Sequence, residues 1–247
     1  YCSKEVYREG EGVITERANI QLFNMDCMEA MAKMPDNSVD LIITSPPYNL
    51  GNQHHTGNIR HCPYNDDLPE NEYREWQVSI LNECFRILKQ EGSVFYNHKN
   101  RIKDGVQISP YEWLLKTNLI IKQEVVWFNG SQNFDKCRFY PMTERVYWLS
   151  KQKDTKFNNN INHHDLFNWT PEGTAQQHKR SFPTAMVKDI LRCFDHGLVF
   201  DPFMGSGTVG ICCWDEGFDF IGTEIDKDYY TAAVARLERH KAQGQLF

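Results

Sequence analysis

An apolar run that ends abruptly in two prolines constrains the fold of this chain more than any other feature. Residues 39–44 (Val-Asp-Leu-Ile-Ile-Thr) have the composition of a buried strand, and Ser45, Pro46, Pro47 and Tyr48 follow at once. Proline has no N–H for a sheet ladder and a fixed φ, so the strand must end here and the loop must be stiff. Such a loop can hold an aromatic ring and oxygen acceptors in place. This arrangement suits a flat heterocycle that carries an amino group.

Strand and helix patterns alternate along the chain. Seven short apolar segments predict strands: Ile20–Phe23, Val39–Thr44, Ser93–Asn97, Leu119–Phe128, Glu144–Ser150, Leu198–Asp201 and Phe218–Thr223. Amphipathic helices are predicted between them, and one of these should begin near Pro69 and end at Gly92. The alternation predicts an α/β fold with one seven-stranded, mostly parallel sheet flanked by helices.

Composition limits the class of protein. The 247 residues are 40% hydrophobic and 13% aromatic, which predicts a single domain over residues 1–247. No apolar run is long enough to cross a bilayer and the N-terminus lacks a signal-peptide pattern, so we expect a cytoplasmic protein without a membrane partner. The eight cysteines include no C-x-x-C pair, which favours reduced thiols and no metal site.

Two polar stretches fit no predicted element. Residues 49–67 follow the Ser-Pro-Pro-Tyr tetrapeptide and are rich in Gly, His, Asn and Pro, and residues 151–177 are rich in Asn. Long polar loops in a compact domain are usually functional or disordered. We interpret residues 49–67 as an insertion that could close over a ligand held by the tetrapeptide.

A glycine-rich turn follows a second apolar strand. Residues 201–210 contain Gly205-x-Gly207-x-x-Gly210 after the apolar residues 198–200, and they open a helix. Glycines allow the backbone to approach a ligand closely, and a helix N-terminus offers free N–H groups. After the next strand, Glu224 is placed to accept from ribose hydroxyls. The pattern alone leaves a nucleotide-containing cofactor and a dinucleotide both open.

The order of the motifs along the chain helps to distinguish a nucleotide-containing cofactor from a dinucleotide. About two dozen residues follow Glu224, enough for one helix and no third strand. The third strand of the cofactor-binding half is therefore expected from Ile20–Phe23, which Asp26 follows. This half is then split between the two ends of the sequence, with the tetrapeptide half between them.

In this order the motifs resemble those of the β-class DNA amino-methyltransferases, which use S-adenosyl-L-methionine. The resemblance covers nearly the whole chain, and its segments are residues 24–27, 41–48, 143–148, 182–183, 201–208 and 222–225. One departure is His178-Lys179, where the family usually has His-Pro. The resemblance implies a Rossmann-like fold in circularly permuted methyltransferase order, with target recognition in residues 151–177.

The resemblance also implies the chemistry. The methyl group of S-adenosyl-L-methionine would move to an exocyclic amino nitrogen of a base flipped out of double-stranded DNA. A Ser45 oxygen and the Pro46 carbonyl would accept the amine hydrogens, Pro47 would stiffen the loop, and Tyr48 would stack on the base. The implied cofactor-binding residues are Asp26, Thr44, Pro183, Asp201, Phe203, Gly205, Ser206, Gly207, Thr208, Glu224 and Ile225. Asp26 has the alternative role of a helix N-cap.

Ser45 favours cytosine-N4 as the target, because the adenine-N6 enzymes of this group more often carry Asp or Asn there. Adenine-N6 stays open, since a hydroxyl and a carboxylate both accept from an amine. Remoter alternatives are an RNA methyltransferase, a non-catalytic nucleic-acid-binding subunit and an NAD-dependent oxidoreductase. The short recognition stretch favours a short target or help from a second copy of the chain, and a restriction–modification role would add a cognate endonuclease. The net charge is −6, so phosphates would need local basic clusters such as residues 98–103 and 136–145.

Overall fold

Strands and helices alternate in the computed structural model, which describes residues 5–8, 11–15, 18–51, 66–130, 136–159, 162–168 and 182–243. The strands in these ranges are β1 Glu5–Arg8, β2 Glu11–Thr15, β3 Ile20–Phe23, β4 Val39–Thr44, β5 Leu88–His98, β6 Arg101–Lys103, β7 Val106–Ile108, β8 Ile120–Phe128, β9 Thr143–Ser150, β10 Leu166–Phe167, β11 Leu198–Asp201 and β12 Asp219–Thr223. The helices are α1 Cys27–Met31, α2 Glu70–Ile87, α3 Tyr111–Leu114, α4 Thr184–Leu191, α5 Thr208–Glu216 and α6 Lys227–Gln243.

One mixed sheet of eight strands organises the molecule, in the order β10-β8-β9-β5-β4-β11-β12-β3. β9 runs antiparallel to β5 and β8, and the other neighbouring pairs are parallel. The predicted α/β class with a mostly parallel sheet is confirmed, but the predicted count of seven strands is wrong. The eighth strand, β10, has two residues inside the polar stretch 151–177 and is too short to show a strand pattern. It pairs with β8, and its Phe167 is buried.

Helices cover both faces of the sheet. On β4, Leu41 and Ile43 pack into a core cluster with residues of α4 and α5, while Ile42 packs into a second cluster with residues of α1 and α2. Successive side chains of a strand point to opposite faces, so a strand that is buried on both sides must be apolar throughout. This explains why the 39–44 run lacks the alternation of a half-exposed strand.

The sheet brings together two distant parts of the sequence. β3 pairs in parallel with β12, with Leu22 opposite Gly222, which confirms the expected third strand of the cofactor-binding half. The strand that carries the tetrapeptide, β4, lies next to β11, which carries the glycine-rich turn. The description of this order as a circular permutation stays a prediction.

The sequence predicted that Gly92 would end α2, and this was wrong. The helix ends at Ile87, and β5 begins at Leu88 and contains Gly92. A Cβ atom at residue 92 would lie 2.8 Å from the carbonyl oxygen of Asp40, well inside van der Waals contact. The glycine is therefore explained by close packing of β5 against β4.

The two ends of the predicted 49–67 insertion lie side by side. Gly51 N–H donates to the Asp66 carbonyl at 2.8 Å, and Asn49 N–H donates to Asp66 Oδ1 at 2.8 Å. The Asn49 amide donates to the Leu68 carbonyl at 2.9 Å and accepts from Leu68 N–H at 2.7 Å. We call these contacts the clasp. Residues 52–65, which make up most of the predicted insertion, lie outside the described residues.

The predicted recognition stretch, 151–177, is described only in part. Phe157 packs on Trp148 and Phe194, with ring centroids 4.5 and 5.6 Å apart, so this segment is joined to the core. Residues 160–161 and 169–181 lie outside the described ranges, and with them His178-Lys179. Among the helices that the structure describes, none combines the length and apolar character needed to span a membrane.

Candidate functional site

The carboxyl ends of β4 and β11 form one edge of the sheet and bring the two motifs together. Thr44, the last residue of β4, donates its hydroxyl to Asp201 Oδ1 at 2.8 Å, and both side chains are buried. The same carboxylate oxygen accepts the N–H of Phe203 at 3.0 Å. Burial raises the pKa of Asp201 from 3.8 to about 7, against the opposing effect of these two hydrogen bonds. Asp201 thus links the tetrapeptide strand to the glycine-rich turn.

A hydrogen bond from α2 holds the tetrapeptide in place. Tyr73, a buried residue of that helix, donates its hydroxyl to the Pro47 carbonyl at 2.7 Å. Pro46 is buried, and among the described residues no donor reaches its carbonyl oxygen within hydrogen-bond distance. The loop therefore presents one carbonyl that is fixed in place and still able to accept a hydrogen.

The Tyr48 hydroxyl is at the centre of a polar cluster. It lies 2.9 Å from Ser45 Oγ, 2.6 Å from Asn97 Oδ1 and 3.0 Å from Glu144 Oε2. Ser45 also donates to Asn97 Oδ1 at 3.2 Å. Burial, and then the negative charge of Glu144, raise the pKa of Tyr48 well above its ordinary value, so the phenol stays protonated. We call Ser45, Tyr48, Asn97 and Glu144 the hydroxyl cluster.

The ring of Tyr48 packs on the imidazole of His98, with centroids 4.5 Å apart and planes tilted by 40°. His98 is buried, and burial lowers its pKa to about 3, so the imidazole is neutral. Its Nδ1 donates to the Lys99 carbonyl at 2.8 Å, and its Nε2 lies 2.7 Å from the Tyr73 hydroxyl. Lys99 Nζ lies 5.9 Å from the centre of the Tyr48 ring. The aromatic ring is therefore backed by a fixed, neutral partner.

Two glycines shape the second half of the site. Gly205 and Gly207 have φ angles of 48° and 76°, a region that residues with a Cβ atom rarely adopt. Gly207 is the N-cap of α5, and a Cβ atom there would lie 3.2 Å from Ala233 Cβ. The turn thus needs both glycines, and it directs the first N–H groups of α5 towards the sheet edge.

Glu224 supports this turn from β12. Its Oε2 accepts the N–H of Gly205 at 3.0 Å and its Oε1 accepts the N–H of Asp226 at 2.8 Å. The side chain is 8% exposed, and burial raises its pKa. Each oxygen keeps a further lone pair, so the carboxylate can still accept from a ligand hydroxyl. Ile225, the next residue, is exposed.

Asp26 lies at the same edge and serves as an N-cap. Its Oδ1 accepts from the backbone N–H groups of Met28 and Glu29 at 2.8 and 3.3 Å, so the alternative role considered above is the one observed. The loop that carries it is tied to the Glu224 loop, because Asn24 Nδ2 donates to the Glu224 carbonyl at 2.8 Å. A role of Asp26 in adenine binding stays a prediction.

Ser206 and Thr208 contact a residue that sequence reasoning missed. Arg236 of α6 donates through Nη1 to Thr208 Oγ1 at 2.8 Å, and to the Ser206 carbonyl and hydroxyl at 3.1 and 3.2 Å. These side chains therefore hold the turn against α6. An arginine on an amphipathic helix gives no sequence signal for such a contact, which depends on how α6 packs.

Pro183 is farther along the chain, as the buried N-cap of α4. The carbonyl of the next residue, Thr184, accepts from the Cys212 thiol of α5 at 3.6 Å, so α4 is packed on the helix that follows the glycine turn. Phe203 packs with the helices on the other face of the sheet, and its ring centroid lies 5.7 Å from that of Trp76.

Two other members of the hydroxyl cluster have partners that the sequence did not indicate. Asn97 was missed; it ends the predicted strand 93–97, and a polar residue at the carboxyl end of a buried strand is the signal that could have found it. The contact of Glu144 with Tyr48 was also missed. Its sequence neighbour Arg145 donates to Glu124 at 2.6 Å, because neighbouring side chains of β9 point to opposite faces.

Comparison with known proteins gives consistent results. A family model described as DNA methylase matches residues 39–235. The Type II methyltransferase M.BglII of Bacillus subtilis is 25% identical, over 92% of this chain and 71% of its own length. Among solved structures, PvuII DNA methyltransferase (cytosine-N4-specific) has a TM-score of 0.75 at 22% identity, covering 92% of this chain and 91% of that one. The M1.HpyAVI–SAM complex has a TM-score of 0.64 at 22% identity, covering 88% and 98%.

Proposed function

This chain belongs to the DNA methylase family, and from that premise we propose that it methylates an exocyclic amino nitrogen of a base in double-stranded DNA, with cytosine-N4 as the target. The observation that carries the proposal is the Thr44–Asp201 hydrogen bond of 2.8 Å at the sheet edge. It holds the Ser-Pro-Pro-Tyr loop beside the glycine-rich turn, so that a base amine and a methyl donor would meet there. Holding two reactants in line removes much of the entropic cost of the reaction.

The residues at this edge fit S-adenosyl-L-methionine, which when bound supplies an electrophilic methyl group. Gly205 and Gly207 have no Cβ atoms, so the amino-acid end of the donor could approach the backbone of the turn closely. Glu224 has lone pairs for the ribose hydroxyls, and Asp26 and Ile225 border the same edge. The M1.HpyAVI–SAM complex, a structure of the same fold, is a complex with this donor.

The tetrapeptide would activate the amine. An exocyclic amino nitrogen is a weak nucleophile because its lone pair is delocalised into the ring. Ser45 Oγ and the Pro46 carbonyl would accept its two hydrogens and direct the lone pair at the methyl carbon, with acceptors that are already in place. Tyr48 would stack on the base and contribute about 1–3 kcal/mol, as aromatic–base contacts do.

Exposed basic and aromatic side chains next to the tetrapeptide support DNA as the substrate. The β6–β7 hairpin begins at Arg101, whose Nη1 lies 3.4 Å from the Asn49 carbonyl, and Arg138 donates to its Gly105 carbonyl at 2.8 Å. Lys103, Lys136 and Arg138 are exposed there, and the Phe139 side chain is fully exposed. Cations for phosphates and a ring for an unstacked base suit a nucleic acid, in spite of the net charge of −6.

Cytosine-N4 is preferred over adenine-N6 for two reasons. The tetrapeptide begins with Ser45, and the cytosine-N4-specific PvuII DNA methyltransferase shares the fold over most of both chains. A second copy of the chain, a cognate endonuclease and a cytoplasmic location stay predictions from the resemblance, as does target recognition by residues 151–177.

The test is methylation of long, unmethylated duplex DNA with labelled S-adenosyl-L-methionine, followed by nucleoside digestion and mass spectrometry. We expect N4-methylcytosine from the wild type and a large loss in the Tyr48→Ala variant. N6-methyladenine would overturn the base assignment and keep the mechanism. Absence of any methylated base, together with normal binding of the donor, would overturn DNA methylation as the function.

A further inference from the structure

The hydroxyl cluster contains more acceptor oxygens than hydrogens. Four contacts of 2.6–3.2 Å join its members, but only the hydroxyls of Ser45 and Tyr48 bring hydrogens to them. Asn97 presents its oxygen, because its Nδ2 donates to the Arg145 carbonyl at 3.0 Å. The Asn129 amide binds the other oxygen of Glu144 at 3.2 Å and so fixes the carboxylate. A cluster of this kind is arranged to take up hydrogens from outside.

The amine must lose a proton when it gains a methyl group, and the tetrapeptide has no group that can keep it. An alcohol, a backbone carbonyl and an amide are all very weak bases. The carboxylate of Glu144 is the basic group of the cluster, and two hydroxyls connect it to the substrate side: Ser45 to Tyr48 at 2.9 Å and Tyr48 to Glu144 at 3.0 Å. Both distances allow proton transfer along hydrogen bonds.

We propose that Glu144 is the final acceptor of the target amine's proton, which reaches it through the hydroxyls of Ser45 and Tyr48. The inference rests on the proposed function. The nitrogen–carbon bond forms as the carbon–sulfur bond breaks, and the electron pair of that bond stays on sulfur. The amine proton passes to Ser45 Oγ, the Ser45 proton passes to Tyr48, and the Tyr48 proton passes to Glu144 Oε2. Both hydroxyls end as they began, and Glu144 then releases its proton to water.

The groups around Glu144 leave it as the acceptor. Its Oε2 accepts from Tyr48 of the β4 loop, whose hydroxyl also bonds to Asn97 of β5, and its Oε1 accepts from Asn129 after β8. His98 behind the Tyr48 ring is neutral, because burial lowers its pKa to about 3. Lys99 lies above the Tyr48 ring, and the guanidinium of Arg145 donates to Glu124 and Thr143.

The test measures single-turnover methyl transfer to duplex DNA with the full chain. The variants are Glu144→Gln, which keeps the shape but cannot hold the proton, Glu144→Asp, which keeps the charge, Tyr48→Phe, and the Tyr48→Phe/Glu144→Gln double variant. Glu124→Gln is the matched control, because Glu124 also accepts from a tyrosine hydroxyl, that of Tyr111 at 2.8 Å. Calorimetric binding of the methyl donor and fluorescence anisotropy with DNA show whether each variant stays folded and binds.

We expect Glu144→Gln and Tyr48→Phe each to slow transfer by about 10²–10⁴-fold, with little change in the affinity for the methyl donor or for DNA. The double variant should be no slower than the slower single variant, because both act on one relay. Glu144→Asp should recover part of the rate, and Glu124→Gln should keep the wild-type rate. A Glu144→Gln rate within twofold of wild type, an equal loss of rate in Glu124→Gln, or multiplied effects in the double variant would overturn the relay. A wild type that methylates no DNA would instead overturn the proposed function and the relay with it.

Discussion

Replacing Asp201 with asparagine should change how the stability of the fold depends on pH. The folded-state pKa of Asp201 is raised to about 7 by burial, from an ordinary value of 3.8. The folded protein therefore keeps this proton over a pH range in which the unfolded chain has lost it. Because the folded state binds more protons there, stability falls as pH rises from about 4 to about 7.

The size of the effect follows from the two pKa values. The folded and unfolded pKa values differ by about three, and each pKa unit corresponds to about 1.4 kcal/mol. The free energy of unfolding should therefore fall by about 4 kcal/mol in total, of which about 2.5 kcal/mol is lost between pH 5 and 8. Asparagine should keep the structure, because its Oδ1 can still accept from both Thr44 and the Phe203 N–H. These two donors also fix the orientation of the new amide.

The assay is urea unfolding of the wild type and Asp201→Asn at four pH values from 5 to 8. The free energy of unfolding of the variant, relative to the wild type, should increase by about 2.5 kcal/mol across this range. Taking the difference removes the contributions of the other carboxylates. Parallel stability curves for the two proteins would refute the reasoning, because they would mean that Asp201 does not titrate differently in the folded and unfolded states.

Three further substitutions test the two halves of the site separately. Gly207→Ala places a Cβ atom on a residue with a φ of 76°, 3.2 Å from Ala233 Cβ. We expect the free energy of unfolding to fall by about 1–3 kcal/mol and donor binding by calorimetry to weaken; unchanged values would show that the substitution causes no strain. Arg236→Gln shortens the side chain that bonds to Thr208, and should weaken donor binding about tenfold while DNA binding by anisotropy stays the same. Asn49→Ala removes the two side-chain hydrogen bonds to Leu68 in the clasp, at a residue with a φ of 53°. DNA methylation should fall while donor binding is kept; an equal loss of both would contradict a role of the clasp limited to the tetrapeptide side of the site.

The sequence was most informative where local chemistry decides the structure. The seven predicted strands are all present, because each has an apolar pattern of its own, and Gly205 and Gly207 have the positive φ angles that their motif requires. The Ser-Pro-Pro-Tyr loop does follow a buried strand. These features depend on residues that are close in the sequence, so pattern reasoning reaches them.

The parts that were missed depend on contacts between distant residues. Arg236 reaches the glycine-rich turn only because α6 packs beside it, and Asn97 joins Tyr48 only because β5 lies next to β4. The contact of Glu144 with Tyr48 was missed too, since the position of Glu144 in the sequence says nothing about the residues that its face of β9 meets. Gly92 was taken for a helix end, because a glycine at a close approach between strands and one at a helix terminus look alike in sequence.

The clasp fixes the two points between which the chain length can vary. Since Gly51 and Asp66 are bonded to each other at 2.8 Å, the chain leaves and re-enters the described part of the domain at one point, close in sequence to Tyr48. For loops in general, each doubling of length adds only about 0.6 kcal/mol to the cost of closure. A chain of another length or sequence could therefore start and end at these two residues, with neither the sheet nor the glycine-rich turn rebuilt. Evolution and protein engineering could in this way alter the surroundings of the tetrapeptide while its supporting strand is kept.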